Sequence, residues 1–186
     1  MRIIGGSRRG LKLADVGEGD AAAHLRPTSD RVREAIFNLL INAHGDPVTC
    51  ARVLDLFAGT GALGLEALSR GASHATFVDD GPKALALLKS NIAKLRAEGE
   101  TRILRQDATR LPANPDAPFT LIFLDPPYGK ALGETALAQA RTQGWLAPGA
   151  TVVWEERQPP TPPEGFTQLD QRRYGDTTVT ILEGPP

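Results

Sequence analysis

The chain has 186 residues, with 21 Lys and Arg against 22 Asp and Glu for a net charge of −1, so it has the length of one domain and not the overall charge of a nucleic-acid binder. No apolar run approaches the roughly 20 residues of a membrane helix, and the N-terminus lacks the apolar stretch of a signal peptide. A lone cysteine, Cys50, excludes an internal disulfide and a cysteine zinc site and fits a reducing cytoplasm, and His24, His44 and His74 lack metal-ligand spacing, so no metal is expected.

In chain order, Ile3-Ile4 and Leu11–Leu13 flank Gly5–Gly10 and predict a small β-hairpin. Residues 1–12 carry Arg2, Arg8, Arg9 and Lys12 and no acid, an arm suited to phosphate contacts. On charge alone a solvated edge hairpin fits equally well. Residues 14–25 are polar and rich in Gly and Ala, so a flexible loop is expected. Ser29 or Asp30 then caps a helix to about Ala43, with Val32, Ile36, Leu39 and Leu40 at helical spacing, and Gly45-Asp46-Pro47 stops it.

From there strands and helices alternate. Strands are predicted at 52–57, 74–79, 102–107, 119–125 and 150–156, and helices over about 62–70, 82–97 and 130–143. Segment 119–125 is nearly all apolar and reads as a central strand covered on both faces. Such alternation means a parallel sheet with right-handed crossovers. Past the proline-rich stretch 159–163 the pattern changes. Residues 166–174 and 177–182 flank Gly175-Asp176 and predict an antiparallel hairpin at a sheet edge.

Ligands of open α/β sheets bind beyond the carboxyl ends of the strands, and four predicted strands carry an aspartate there: Asp55, Asp79, Asp107 and Asp125. Gly59-Thr60-Gly61-Ala62-Leu63-Gly64 matches G-x-G-x-x-G between a strand and a helix, with Asp79 twenty residues after Gly59 where a ribose-binding acid belongs. That pattern alone fits a nicotinamide dinucleotide as well as S-adenosylmethionine. Asp55, four residues before Gly59, shifts the balance, because an acid suits an ammonium and a sulfonium and opposes a pyrophosphate.

Asp125-Pro126-Pro127-Tyr128 directly follows the central strand. Two prolines fix their own φ and hold the strand end rigid, with carbonyls directed outward. An exocyclic base amine is a poor nucleophile, and its N–H groups can donate to the Asp125 carboxylate and the Pro126 carbonyl. Those acceptors favour a more tetrahedral nitrogen, and a fixed carboxylate stabilises the positive charge that develops on it. Tyr128 offers a face for the base to stack on, worth about 1–3 kcal/mol.

The segment Asp55-Leu56-Phe57-Ala58-Gly59-Thr60-Gly61 resembles the first motif of class I methyltransferases, and Asp125–Tyr128 resembles the (D/N)-P-P-(Y/F) motif of enzymes that methylate amino groups. The resemblance extends along the chain. Arg2–Gly6 with Arg9-Gly10, Arg26–Glu34 with Phe37-Asn38, Leu54–Gly61 continuing to Leu68–Ala72, and Tyr174–Thr177 are all similar to the bacterial 16S ribosomal RNA guanine-N2 methyltransferase family.

The resemblance implies a Rossmann-like α/β fold of the class I methyltransferases, with helices on both faces of a mostly parallel sheet and a C-terminal antiparallel hairpin. Residues 1–28 would form a basic arm and loop, and 29–186 the methyltransferase domain. It implies S-adenosylmethionine as cofactor, with Asp55, Phe57, Ala58, Gly59 and Gly61 at its methionine end, Asp79 and Asp80 at the ribose, and Asp107 and Ala108 at the adenine. For Asp107 a loop cap is the alternative. Catalysis would fall to Asp125, Pro126 and Tyr128. Arg8, Arg9, Lys12, Arg26, Arg31 and Pro127 would join Tyr128 in holding RNA. For Arg31 and Arg33 a solvated helix face paired with Asp30 or Glu34 is an even alternative. The partner would be 16S rRNA within the 30S subunit or an assembly intermediate, met by a cytoplasmic monomer. Competing readings are a DNA adenine-N6 methyltransferase, a nicotinamide-dependent oxidoreductase and a non-catalytic RNA-binding module.

Overall fold

The structure, a computed structural model, describes residues 1–14 and 28–186. Arg26 and nearly all of the loop expected over 14–25 lie outside the described residues. The elements are α1 (Asp30–Ala43), β1 (Arg52–Leu56), α2 (Ala62–Ser69), β2 (His74–Asp79), α3 (Pro82–Leu95), β3 (Thr101–Arg105), β4 (Phe119–Leu124), α4 (Leu132–Thr142), β5 (Leu146–Glu156), β6 (Thr167–Tyr174) and β7 (Thr177–Glu183).

The seven strands form one sheet in the order β3-β2-β1-β4-β5-β7-β6. β3, β2, β1, β4 and β5 run parallel, and β7 and β6 complete the edge antiparallel. β4 alternates its side chains between two apolar layers. Leu121 and Phe123 belong to the layer that includes residues of α1, α2 and α3, while Ile122 and Leu124 belong to the layer that includes residues of α4. Both faces of the strand are therefore covered, which is why it reads as a continuous apolar run. In α1, Ser29 is the cap, its hydroxyl oxygen accepting the Val32 N–H at 3.2 Å. The helix buries Ile36, Phe37 and Leu40, and Phe37 packs on Phe123 with ring centroids 5.6 Å apart.

β5 begins at Leu146, four residues before its expected start. Pro148-Gly149 looks like a turn in the sequence, yet the strand continues through it, with a register shift against β4 between Phe119 and Leu121. The N-terminal hairpin is minimal, a single antiparallel bridge between Arg2 and Lys12. It is nonetheless built into the core. Ile3 is fully buried, and the Glu66 carboxylate of α2 accepts the N–H groups of Ile4 and Gly5, each at 2.8 Å. Glu66 also accepts from Arg70 Nε at 2.7 Å and lies 3.7 Å from Arg33 Nε, so one buried carboxylate ties the arm, α1 and α2 together. No helix among the described residues is long and apolar enough to cross a membrane.

Candidate active site

β1 and β4 are neighbours in register, Leu56 beside Leu124, so the residues that follow them emerge side by side. The Asp125 N–H reaches the Leu56 carbonyl at 3.5 Å, which seats Asp125–Tyr128 next to the glycine turn. This is where crossovers leave the sheet in opposite directions and a crevice opens at the strands' carboxyl ends. A cleft of about 430 Å³ occupies the place, within the usual range for small-molecule sites.

One half of the cleft is lined by Asp55, Phe57, Ala58, Gly59, Asp79, Asp80, Asp107 and Ala108. The turn begins with Phe57 at φ +59°, a conformation that costs a non-glycine residue and is characteristically retained at functional sites. Gly61 follows at φ +78°, and a side chain there would run into Leu88. Gly64 has a packing role, since a Cβ on it would collide with Phe77 and stand 3.0 Å from Asp55 Oδ2. Gly61 itself underlies the turn without lining the cleft.

Three of the acids of this half, Asp55, Asp79 and Asp107, are already engaged with backbone. Asp55 Oδ2 accepts the Gly64 N–H at 2.9 Å, and burial, with Asp79 nearby, pushes its carboxyl up to about 8. Asp79 accepts the Gly59 N–H through one oxygen and the Gly81 N–H through the other, both at 2.8 Å, and burial raises its carboxyl too. Asp107 caps a short turn through Thr109, accepting its N–H at 2.8 Å and its hydroxyl at 2.6 Å, and these bonds hold its carboxyl low. The loop-cap alternative for Asp107 is thus realised, on a residue that still faces the cleft. Asp80 is exposed at the rim.

The other half is lined by Asp125, Pro126, Pro127 and Tyr128 together with Thr28, Glu155, Tyr174 and Thr177. Burial first, then Glu155 and Asp55, raise the Asp125 carboxyl well above the ordinary carboxylate range. Thr28 Oγ1 lies 3.4 Å from Asp125 Oδ2 and 3.2 Å from Glu155 Oε2. The Tyr128 hydroxyl meets Thr177 Oγ1 at 2.9 Å and Glu155 Oε1 at 3.4 Å. Thr28, Glu155 and Thr177 are not among the sequence-derived site residues. The signal for Glu155 was present, an acid at the end of an apolar strand, the same pattern that marks Asp55, Asp79 and Asp125.

The expected RNA-binding cations are spread more widely. Arg9, Lys12 and Arg31 are exposed, whereas Arg8 is mostly covered and paired with Glu100 at 2.8 Å. Arg33, whose alternative was a solvated face, does pair with Asp30 at 2.8 Å but is fully buried. Its guanidinium also donates to the Arg2 carbonyl, anchoring the arm.

S-adenosylmethionine fits this cleft on chemical grounds. The ion pairs among the described residues include none to Asp55, Asp79 or Asp125, so two faces of the crevice offer carboxylates to a cationic ligand. A dinucleotide would bring its pyrophosphate against the same acids, at a cost in like-charge repulsion.

The sheet order, the antiparallel β7 and the strand-end crevice define a class I methyltransferase fold. The chain belongs to the family described as Conserved hypothetical protein 95, which matches residues 1–183. It is 40% identical to the Ribosomal RNA small subunit methyltransferase D of Escherichia coli strain K12, over 98% of this chain and 89% of that one. It is 36% identical to the protein of the same name from Haemophilus influenzae, over 98% and 93% of the two chains. Among solved structures, the Escherichia coli protein yhhF superposes with a TM-score of 0.83 at 36% identity, covering 100% of this chain and 98% of that one. The protein SMU.776, solved as a complex with SAH, shares the fold at 17% identity and a TM-score of 0.59, over 81% of this chain and 49% of that one.

Proposed function

We propose that this chain uses S-adenosylmethionine to methylate the exocyclic N2 amino group of a guanine in 16S ribosomal RNA, met within the 30S subunit or an assembly intermediate. The observation that carries the reading is the seating of Asp125–Tyr128 directly beside the glycine turn, in a chain 40% identical to a small-subunit rRNA methyltransferase. An rRNA substrate implies a cytoplasmic enzyme, which we read as a monomer.

When bound, S-adenosylmethionine supplies an electrophilic methyl group on a sulfonium. The residues of the chain do the rest. Asp55 would hold the cationic methionine end, the Asp79 carboxylate keeps lone pairs that would accept from ribose hydroxyls beyond its two backbone bonds, and Asp107 and Ala108 would hold the adenine. Asp125 and the Pro126 carbonyl accept the two N–H groups of the target amine and aim its lone pair along the line of displacement. Tyr128, its hydroxyl held by Thr177, stacks on a base that has left its helix. The transfer is a direct displacement whose rate comes chiefly from holding the two reactants in attack geometry. Arg9, Lys12 and Arg31 are exposed for phosphate contact. Incubation with labelled S-adenosylmethionine and 30S particles lacking the modification, followed by mapping of the labelled base, tests the reading. Label on an adenine, or none, defeats it.

A further inference from the structure

Glu155 stands beside Asp125 across the sheet. β4 and β5 are in register at Leu124 and Trp154, so the residues that follow, Asp125 and Glu155, are adjacent. Trp154 packs beside Gly133 of α4, and Glu155, alternating to the other face, lines the acceptor half of the cleft. Its side chain is buried, with 5% of the residue exposed. Two hydroxyls from different elements hold it, Thr28 on one oxygen and Tyr128 on the other, and Thr177 fixes the Tyr128 hydroxyl in turn.

The Thr28 hydroxyl has one proton and two carboxylates to serve, at 3.2 and 3.4 Å. Two acids so close repel one another, and Glu155 raises the Asp125 carboxyl beyond what burial does. A ligand that brings two adjacent N–H donors complements two adjacent carboxylates facing the cleft.

Among the bases, guanine carries that pair on its Watson–Crick edge, the N1–H beside the N2 amine. Adenine and cytosine instead turn a ring-nitrogen acceptor toward the same place, where a carboxylate repels it. Building on the guanine-N2 reading, we infer that Glu155 is the residue that selects guanine, its carboxylate accepting the N1–H while Asp125 accepts from the N2 amine being methylated. Tyr128 then has two tasks, its ring stacking on the base and its hydroxyl orienting the selecting carboxylate. A site built to receive an N–H rejects an analogue lacking it far more strongly than an apolar pocket rejects a change of size, because the unmatched buried group loses its partner.

The test replaces the base as well as the residue. 30S particles are reconstituted with 16S rRNA carrying either guanine or 2-aminopurine at the methylated position. 2-Aminopurine retains the 2-amino group and has a ring-nitrogen acceptor in place of the N1–H. Methyl incorporation is followed as kcat/KM for the wild type and for Glu155→Gln, with cofactor affinity measured by calorimetry. The wild type is expected to prefer guanine by about 100-fold or more. In Glu155→Gln the guanine rate falls by about 10–100-fold, while the 2-aminopurine rate holds or rises because the glutamine amide can donate to the ring nitrogen. The preference should shrink to about tenfold or less, at unchanged cofactor affinity. A wild type that methylates both bases equally overturns the inference, and so does a variant that loses both in the same proportion. Guanine left unlabelled by the wild type overturns the guanine-N2 reading and the inference together. Label on guanine with an unaltered preference overturns the inference alone.

Discussion

Asp79 and Gly59 are joined by a hydrogen bond of 2.8 Å from the glycine N–H to the carboxylate, so the acid proposed for the ribose also holds the glycine turn. The same carboxylate accepts from Gly81 ahead of α3 and thereby ties together the loops that follow β1 and β2. Asp79→Ala should therefore remove more than a ribose contact. It leaves two backbone donors without their acceptor, and cofactor affinity is expected to fall by about 2–3 kcal/mol, or roughly 30–150-fold. Asp79→Asn, which keeps one acceptor oxygen, should lose less. Calorimetry with S-adenosylmethionine reads both, and unchanged affinity in the alanine variant would remove Asp79 from the ribose.

Asp125 separates binding from chemistry. It lies beyond β4 on the acceptor side, with Thr28 and Glu155 as its polar neighbours. Asp125→Ala is expected to lower turnover by at least about 100–1000-fold, the scale of removing one preorganised electrostatic contact from a transition state. Cofactor affinity should stay within about threefold of wild type, because the residues proposed to hold the donor line the other half of the cleft. Single-turnover methyl transfer with saturating cofactor checks the first point and calorimetry the second. Retained turnover would take Asp125 out of the catalytic role.

The parts of this protein that could be read from sequence are those governed by local rules. Apolar runs such as 119–124 and the strand-turn-helix at Asp55–Leu63 announce themselves through periodicity, glycines and prolines, and the observed boundaries lie within a few residues of the expected ones, β5 apart. What stayed hidden depends on contacts distant in sequence. That Arg8 pairs with Glu100, or that Arg33 is buried against Glu66, follows only from how the arm docks, and a basic residue carries no local sign of its eventual partner. Glu155 is different, since its pattern matched the strand-end rule already applied to the aspartates. Val152-Val153-Trp154-Glu155-Glu156 ends its strand as Leu54-Asp55 and Leu124-Asp125 end theirs.

The N-terminal arm should show two separable effects. Removing residues 1–12 takes away Ile3 from the core and both N–H donors to Glu66, and it uncovers the Arg33 cluster. Breaking a buried charged network by deleting one side typically costs about 3–5 kcal/mol, so the truncated chain should melt markedly lower and lose cofactor and RNA binding together. The exposed pair Arg9 and Lys12 can be tested without that damage. Arg9→Glu with Lys12→Glu should leave the melting temperature nearly unchanged and cofactor affinity intact. RNA binding should weaken, and its salt dependence should become shallower by about one unit of slope for each phosphate the arm no longer neutralises. Unaltered salt dependence would make the arm structural only.

Asp55 gives the protein a pH dependence whose sign can be worked out. Unfolded, its carboxyl titrates near the ordinary value of 3.8, whereas burial in the folded protein raises it to about 8. Between those values the folded state binds more protons than the unfolded one, so stability falls as pH rises through that window and levels off above about 8. Asp55→Asn keeps the protonated form's shape and an oxygen for the Gly64 N–H, and it removes this titration. Chemical denaturation without cofactor should show the two proteins close in stability at about pH 5. By about pH 8.5 the variant should be the more stable, by of order 1 kcal/mol for each pH unit crossed. Burial of Asp125 raises its carboxyl in both proteins, and because Asp55 raises it further, the difference between the proteins reports Asp55 together with its effect on Asp125. Cofactor should reverse the order at the higher pH, since a sulfonium and an ammonium near the crevice favour the carboxylate that the apo protein holds at a cost. The thermal shift produced by S-adenosylmethionine at about pH 8.5 should therefore be larger in the wild type than in Asp55→Asn. Equal shifts would mean that Asp55 braces the glycine turn through Gly64 and does not meet the cofactor's positive end.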